Sequence, residues 1–188
     1  GKYKRISTTL DDAAGETFDK GAKMLKLTHP GGPEIEKCGI NGDEKLFKLP
    51  RPMLKSKNPN FSFSGLKTAF SKCVEKSNLN NDKHHLAASL QCAISDCIID
   101  RTKFAIKIFR DTTFCNQKIK LVVAGGVASN LKIRSQLKKL SATEKIEFYA
   151  PPLNLCTDNG AMIAWAGFEK FINGGKSSFN FKPRPRWP

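Results

Sequence analysis

The segment "LVVAGGVASN", residues 121–130, joins an apolar run to the start of a predicted helix through a pair of glycines. In such a turn, backbone N–H groups and the helix N-terminus present partial positive charge to an anion. Gly125 and Gly126 allow close approach to the backbone, and the amide of Asn130 could bond a ribose hydroxyl or a base edge. The same residues also suit a tight turn with an asparagine N-cap. The spacing matches neither the P-loop nor the G-x-G-x-x-G fingerprint, so these two classes of phosphate loop are not predicted.

Asp158 lies in "NLCTDNGAMIAWAG", residues 154–167, shortly after a predicted strand that ends at Pro151 and Pro152. Its position at the mouth of a predicted helix is that of an N-cap. A hard oxygen ligand at the carboxyl end of a strand, near a turn suited to phosphate, is also a sensible place for a metal ion. The residues alone leave both interpretations open.

Three carboxylates, Asp12, Glu16 and Asp19, have the spacing that places them on one face of a helix. They could hold ribose hydroxyls or a metal, or they could complement the helix dipole. The histidines offer no H-x-x-x-H clamp, because His84 and His85 are adjacent and point in different directions.

Apolar periodicity predicts the elements that must position these side chains. We expect helices over residues 10–27, with "HPGGP" as the stop, over 84–109, from about Asn130, and over "TDNGAMIAWAGFEKF". Short strands are expected at 121–124 and in "KIEFYAPP", and "FSFSGLKTAFSKCVEK" predicts a strand, a tight turn and a helix. Residues 39–60 have the composition of a basic loop.

Charge and cysteine content narrow the function classes. Thirty-two Lys and Arg against 17 Asp and Glu give a formal charge of +15, which favours a polyanionic partner such as RNA, although a basic organelle or proteome produces the same bias. No run approaches the roughly 20 apolar residues of a membrane span. The six cysteines include no C-x-x-C pair, which favours a reducing compartment and excludes a zinc ribbon. A peptidase has little support, because no Ser-His-Asp or Cys-His set and no H-E-x-x-H is present.

Five motifs together resemble one protein family. "LDDAAGETFDK", "HPGGPEIE", "FSFSGLKTAF", "LVVAGGVASN" and "LCTDNGAMIAWAG" stand in the order and approximate spacing of the TsaD family, the tRNA adenosine threonylcarbamoyltransferases. The resemblance runs from about Leu10 to Phe171, and the motif forms look like the bacterial and mitochondrial branch.

The resemblance implies an α/β protein with the two-lobed actin-like ATPase fold (ASKHA), of which this chain would be mainly the C-terminal lobe, helix-rich with a small sheet. Residues 1–172 would form that lobe and 173–188 an extended basic tail. The implied reaction transfers threonylcarbamoyl from its adenylate to N6 of the adenosine 3′ to a tRNA anticodon, with release of AMP. Substrate or nucleotide contacts would come from Asp19, Gly32, Glu36, Gly125, Gly126 and Asn130.

Asp158 would be a ligand of one divalent metal ion per subunit, whether Fe, Zn, Mg or Mn. The family's other metal ligands are histidines of an H-x-x-x-H motif that this sequence lacks, so we expect the N-terminal lobe to be a partner and the isolated chain to be inert. Other expected partners are tRNA, threonylcarbamoyl-adenylate and a second copy in a homodimer, with no membrane. Basicity and lysine and asparagine usage favour the mitochondrial matrix, with the bacterial cytoplasm as the alternative.

Two other functions remain compatible with the residues. One is an ATP-dependent small-molecule phosphotransferase of the same fold, since the glycine turn would serve ATP equally well. The other is a non-catalytic RNA-binding protein, for which the positive charge and the basic tail suffice.

Overall fold

Helices make up most of the computed structural model, which describes residues 3–113, 118–176, 178, 180 and 182 of the 188-residue chain. The helices are α1 Ala14–Met24, α2 Gly31–Cys38, α3 Ser64–Lys76, α4 Leu79–Thr112, α5 Leu131–Thr143 and α6 Gly160–Ile172. The strands are β1 Lys120–Val122 and β2 Glu147–Tyr149, and short 3-10 turns span Gly126–Ser129 and Leu153–Leu155. The prediction of a helix-rich α/β protein with a small sheet is confirmed at this level.

The long helix α4 forms the centre of the core, with α1, α2, α3 and α5 packed around it. Its apolar residues recur at close to 3.6-residue intervals, and Leu86, Leu90 and Ile94 are fully buried. They pack against Phe18 of α1 and Phe70 of α3, among others. Burial of each such side chain contributes about 1.5–3 kcal/mol, so α4 fixes where the other helices lie.

A β-α-β unit carries the glycine turn. Strands β1 and β2 pair in parallel, with Leu121 opposite Phe148, and α5 makes the crossover between them. The predicted face of α5 is confirmed, because Ile133, Leu137 and Leu140 are all buried. The turn before α5 is thereby held against the core.

Two local predictions are wrong. "HPGGP" was expected only to stop a helix, but its last three residues begin α2, because a proline in the first helical turn sacrifices no intrahelical hydrogen bond. Phe61 and Phe63 do not form a strand: Phe61 makes one isolated bridge to Thr9, and Phe63 is buried immediately before α3. Two alternating aromatic residues are too short a pattern to distinguish a strand from a loop that packs on the core.

Helix α6 differs from the others because its apolar side chains face outward. Trp165 is 65% exposed and Phe171 is 78% exposed. None of its residues is buried among the described parts of the chain. This leaves a large apolar surface uncovered.

The segment 39–60 is irregular, as its composition predicted. The tail predicted over 173–188 lies largely outside the described residues, so its extended form stays a prediction. Within the described chain, no helix has both the length and the apolar character needed to cross a bilayer.

Candidate functional site

A cavity of about 260 Å³ lies where α1, α2 and the turn before α5 meet. Five of the residues predicted for substrate binding line it together: Asp19, Gly32, Glu36, Gly126 and Asn130. These residues come from three parts of the chain that are far apart in sequence. The two remaining predicted residues adjoin the cavity lining in sequence, Gly125 next to Gly126 and Asp158 next to Thr157.

Asp19 joins α1 to the N-terminus of α2. Its Oδ1 accepts the N–H of Gly31 at 2.7 Å, which supplies one of the hydrogen bonds that the first turn of α2 lacks. The two helices approach so closely that a Cβ on Gly31 would lie 2.6 Å from the Asp19 Cα. A Cβ on Gly32 would meet nothing within 4 Å, so Gly32 faces open space at the cavity. Among the described residues no group bonds Asp19 Oδ2, which leaves that oxygen available to a ligand.

The glycine turn has the geometry that its sequence predicted. Gly125 has φ 86° and ψ 174°, a backbone conformation that other residues rarely adopt. The 3-10 turn that follows leads directly into α5, and Ala128 donates its N–H back to the Gly125 carbonyl at 2.9 Å. Neither Gly125 nor Gly126 has an atom within 4 Å of an ideal Cβ position, so the turn presents bare backbone to the outside.

The N-terminus of α5 is occupied by protein groups and is not an open anion site. Glu36 Oε1 accepts N–H groups from Leu131 at 2.7 Å and Lys132 at 3.3 Å. Asn130 Oδ1 accepts the N–H of Ile133 at 3.0 Å, which confirms the predicted asparagine N-cap. The expectation that this helix end receives a phosphate is therefore wrong in its simplest form, because a carboxylate already complements the dipole there.

Asn130 is 5% exposed, and both the oxygen and the nitrogen of its side-chain amide are hydrogen-bonded within the protein. Besides the cap, its Nδ2 donates to Oε1 of the buried Gln91 at 2.7 Å. One amide N–H stays unused by the described residues, since a carboxamide has two donors. Asn130 therefore positions the turn and retains one donor for the cavity.

Arg134 ties the segment before α6 to the glycine turn. Its Nε donates to the Ala128 carbonyl at 3.0 Å, and its Nη2 donates to the Pro151 carbonyl at 2.9 Å. The same Nη2 lies 3.1 Å from the sulfur of Cys156, which is 3% exposed. The guanidinium thus fixes where Thr157 and Asp158 pass the cavity.

Asp158 is exposed and makes no hydrogen bond or ion pair among the described residues. Asn159, not Asp158, caps α6 by accepting the Met162 N–H at 3.0 Å, so the predicted N-cap role of Asp158 is wrong by one residue. An unpaired carboxylate suits a metal ligand in chemical type. However, no three His, Cys, Asp or Glu side chains of residues 3–113 and 118–176 come together, so this part of the chain does not form a complete metal site.

The three carboxylates predicted to share one helix face do not all lie on α1, because the helix begins at Ala14 and Asp12 precedes it. Lys20 pairs with Asp12 at 3.2 Å and with Glu16 at 2.6 Å, and Lys67 also pairs with Asp12. Of these three carboxylate residues, Asp19 alone lines the cavity. Asp12 and Glu16 thus belong to an ion-paired surface, and Asp19 belongs to the site.

Comparison with known proteins supplies the family. The family model described as "TsaD: tRNA N6-adenosine threonylcarbamoyltransferase" matches residues 1–165. The chain belongs to the TsaD family. The five motifs that suggested it all begin within the matched region.

Curated relatives in this family carry the same name, tRNA N6-adenosine threonylcarbamoyltransferase. The protein from Rhodospirillum rubrum is 48% identical over 192 positions, and the one from Sphingopyxis alaskensis is 48% identical over 188; each match covers the whole chain and 52% of the relative. The Bartonella tribocorum protein is 47% identical, with 54% of its length covered. The chain spans about half the length of the curated relatives it matches.

The predicted mitochondrial location is contradicted by these TsaD relatives, which come from bacteria. The prediction relied on basicity and on lysine and asparagine usage. Net charge reports on association and solubility and does not specify a compartment.

Several cavity residues of this TsaD chain were not predicted from the sequence. They are Gly15, Phe18, Pro30, Pro33, Val127, Ser129 and Thr157. Thr157 precedes a predicted site residue, and Pro33 belongs to a motif that carried the resemblance, so proximity along the chain was a usable signal. Arg134 had no such signal, because its acceptors are backbone carbonyls and a thiol brought together only by folding.

Cysteine chemistry plays no visible part in the site. The five described cysteines are free thiols, and Cys115 lies outside the described residues. Burial raises the pKa of Cys97 to about 12 and raises the pKa of Cys92. These two thiols stay protonated at neutral pH and are poor nucleophiles.

Proposed function

We propose that this chain is the C-terminal half of a tRNA N6-adenosine threonylcarbamoyltransferase with a two-lobed actin-like fold. The observation that carries the proposal is the single cavity lined by Asp19, Gly32, Glu36, Gly126 and Asn130. In the TsaD resemblance these positions contact the nucleotide of threonylcarbamoyl-adenylate. A cavity of about 260 Å³ accepts part of such a ligand and leaves the rest for another lobe.

The proposed reaction is attack of the adenosine N6 amine on the carbamoyl carbon, with the phosphate of AMP leaving. The new bond is N6–C, the bond that breaks is the C–O bond to AMP, and the proton lost by the amine passes to solvent. This chain contributes binding and orientation, which lower the barrier by bringing two reactants together in a fixed geometry. Asp19 Oδ2 and the free N–H of Asn130 are the groups available to the ribose and the adenine.

Asp158 would supply one carboxylate oxygen to a divalent metal ion. When bound, such an ion polarises the mixed anhydride and offsets charge on the leaving phosphate. The other ligands would come from histidines of the N-terminal half, since no three candidate ligands come together among the described residues.

We also propose that the N-terminal half packs against the exposed apolar face of α6. Ile163, Trp165 and Phe168 are each more than half exposed, and an apolar surface of this kind is typical of a contact with another chain segment or lobe. The relatives possess the length needed to supply that lobe. A homodimer through α6 is the competing arrangement, and the measured mass of the full-length protein separates the two.

The experiment that tests the function uses the full-length protein, meaning this chain preceded by the N-terminal half that its relatives carry. It is incubated with unmodified tRNA and threonylcarbamoyl-adenylate, and threonylcarbamoyladenosine in the digested tRNA is quantified. We expect product from the full-length protein and none from the 188-residue chain alone. Salt-sensitive tRNA binding without any product would support the non-catalytic RNA-binding alternative, and phosphorylation of a small molecule would support the phosphotransferase.

A further inference from the structure

A second cleft, distinct from the cavity described above, concentrates positive charge. It has a volume of about 350 Å³ and is formed by residues 55–57, the C-terminal part of α4 and the end of α5. Six cationic side chains line it: Lys55, Lys57, Arg101, Lys103, Lys107 and Arg110. We call this feature the basic cleft.

The two acids in the basic cleft are already paired. Asp100 bonds Arg101, with Nε to Oδ2 at 2.9 Å. Glu144 bonds Arg110, with Nη1 to Oε2 at 2.6 Å. The four lysines, in contrast, have no acidic partner among the described residues, so the cleft carries an uncompensated charge of about +4 before any ligand binds.

Two of these lysines stand on a loop that is held in an unusual conformation. Met53 has φ 63° and Lys55 has φ 60°, a left-handed region that non-glycine residues adopt at a cost of about 1–3 kcal/mol. The loop is fixed by Arg101, which is 2% exposed and donates to the Ser56 carbonyl at 3.0 Å and to the Asn58 carbonyl. Asp100 completes the clamp by accepting the Lys55 N–H at 3.3 Å.

These bonds matter for binding because they order the loop before a ligand arrives, so that less conformational entropy is lost on binding. A buried arginine that satisfies backbone carbonyls holds the Lys55 and Lys57 backbone in place without using their ammonium groups. Lys103 and Lys107 are one turn apart on α4 and face the same cleft. Four ammonium groups on fixed backbone suit a row of phosphates better than a single small anion.

An aromatic wall adds a second feature of nucleic-acid sites. Phe104 lines the basic cleft, and the centroid of its ring lies 5.4 Å from the Arg101 guanidinium carbon. Aromatic faces flanked by cations are typical of surfaces that bind unpaired nucleotides, where bases stack and phosphates meet lysine or arginine.

The basic cleft also has a defined position relative to the cavity of the proposed active site. Asn130 of that cavity caps the start of α5, and Glu144 of the cleft caps its end. Thirteen helical residues separate the two, which is about 20 Å at 1.5 Å per residue. That distance corresponds to about six phosphates at 3.4 Å each along one strand, so one folded RNA could reach both sites.

We propose that the basic cleft binds the phosphate backbone of the tRNA substrate at a distance from the reacting adenosine. The proposal rests on the proposed function for the choice of RNA, and it assigns a location and four lysines that the family resemblance does not name. Binding here would hold the tRNA without taking part in the chemical step.

The test compares two double variants of the full-length protein. Lys103→Glu/Lys107→Glu reverses two cleft charges on α4, and Lys72→Glu/Lys76→Glu reverses two exposed lysines with the same spacing on α3, which have no acidic partner among the described residues. Both change the net charge equally, so a nonspecific charge effect would be the same. A third variant, Lys103→Arg/Lys107→Arg, keeps the cleft charge.

We expect the cleft reversal to weaken tRNA binding by about tenfold or more at 0.1 M salt and to reduce the slope of log K against log salt by about 1–2, since each lysine neutralises roughly one phosphate. The α3 variant should stay within about twofold of wild type, and the arginine variant should bind normally. In transfer assays the KM for tRNA should rise while kcat stays nearly unchanged. Equal tRNA binding by the two reversal variants would overturn the proposal and leave the cleft to an acidic protein partner.

The outcome is separable from the proposed function. If the wild-type protein forms no threonylcarbamoyladenosine, the function fails, but the binding comparison still decides whether the cleft holds RNA. If the wild-type protein turns over and the cleft reversal leaves both KM and tRNA affinity intact, the cleft proposal alone fails.

Discussion

Glu36 of α2 closes the N-terminus of α5, because its Oε1 accepts the N–H of Leu131 across 95 residues of chain at 2.7 Å. The bond fastens one wall of the cavity to the other. It also means that the dipole of α5 is complemented by the protein itself. The proposed nucleotide therefore meets the glycine turn and the rim of the cavity, and not a bare helix end.

Removal of the Glu36 side chain that caps α5 should lower the stability of the protein. We expect Glu36→Ala to lower the free energy of unfolding by about 1–2 kcal/mol, since the N–H groups of Leu131 and Lys132 lose a charged acceptor. Glu36→Gln should lose less, because the amide oxygen still accepts. Urea denaturation of the three proteins measures the difference, and identical midpoints for Glu36→Ala and wild type would contradict the capping role.

The glycines of α2 provide a matched pair. A Cβ on Gly31 would lie 2.8 Å from both the Ala22 Cβ and the Phe18 carbonyl oxygen, so Gly31→Ala should destabilise the protein by about 1–3 kcal/mol through overpacking. Gly32→Ala meets nothing within 4 Å and should leave stability unchanged or raise it by up to about 1 kcal/mol. Thermal unfolding distinguishes them. Equal losses for the two variants would refute the close approach of α1 and α2.

Arg134 should act as a positioning residue for the segment before α6. Arg134→Ala removes donors from the carbonyls of Ala128 and Pro151, and we expect a loss of about 2–3 kcal/mol, as for bonds to a charged group. Lys138→Ala, an exposed position on the same helix, is the control and should change stability by less than about 0.5 kcal/mol. If Arg134→Ala matched that control in chemical denaturation, the guanidinium would not be holding the segment.

Acid stability should depend on Asp11. Burial raises the pKa of this carboxyl, but hydrogen bonds from the N–H groups of Phe63 and Ser64 and from the hydroxyls of Ser62 and Ser64 outweigh that effect and hold the pKa at about 2, below the ordinary 3.8. A lowered pKa in the folded state stabilises the protein above pH 3.8, and this contribution is lost as the pH falls towards 2.

Denaturation at a series of pH values from 6 to about 2 tests this expectation. Asp11→Asn should remove part of the acid-induced loss and lower stability at neutral pH. Asp111→Asn, at the exposed end of α4, should reproduce the wild-type profile. A wild-type profile for Asp11→Asn would show that the Asp11 cluster contributes nothing.

Local sequence patterns were enough to predict the elements in which an apolar repeat continues over many residues. The 3.6-residue repeat predicted α4, and the sequence of strand, glycine turn and helix predicted β1, the turn and α5. The same reasoning missed α2, because Gly31, Gly32 and Pro33 have the composition of a stop signal, and the bond from the Gly31 N–H to Asp19 that supports the helix start is made only on folding. It also displaced the α6 cap by one residue, since aspartate and asparagine are equally good caps.

The site was predictable only where a motif identified its members. Asp19, Gly32, Glu36, Gly126 and Asn130 were each expected to bind a ligand, and folding brought them to one cavity. What each does for the protein was not predictable. The bond of Glu36 to α5, the Gln91 partner of Asn130 and the clamp made by Arg134 join residues that are remote in sequence, and no spacing rule links them.

If the cavity and Asp158 form one part of a threonylcarbamoyl transfer site, as proposed, then Asp158→Ala should disable the full-length protein. Asp158 is exposed and bonds no described residue, so stability should be unchanged. We expect bound metal to be lost and transfer to tRNA to fall by at least about 100-fold, more than typical supporting residues of a metal site cost. Glu169→Ala, another exposed carboxylate nearby in sequence, should retain both. Unchanged metal content and transfer rate in Asp158→Ala would show that Asp158 is a surface residue outside the transfer site.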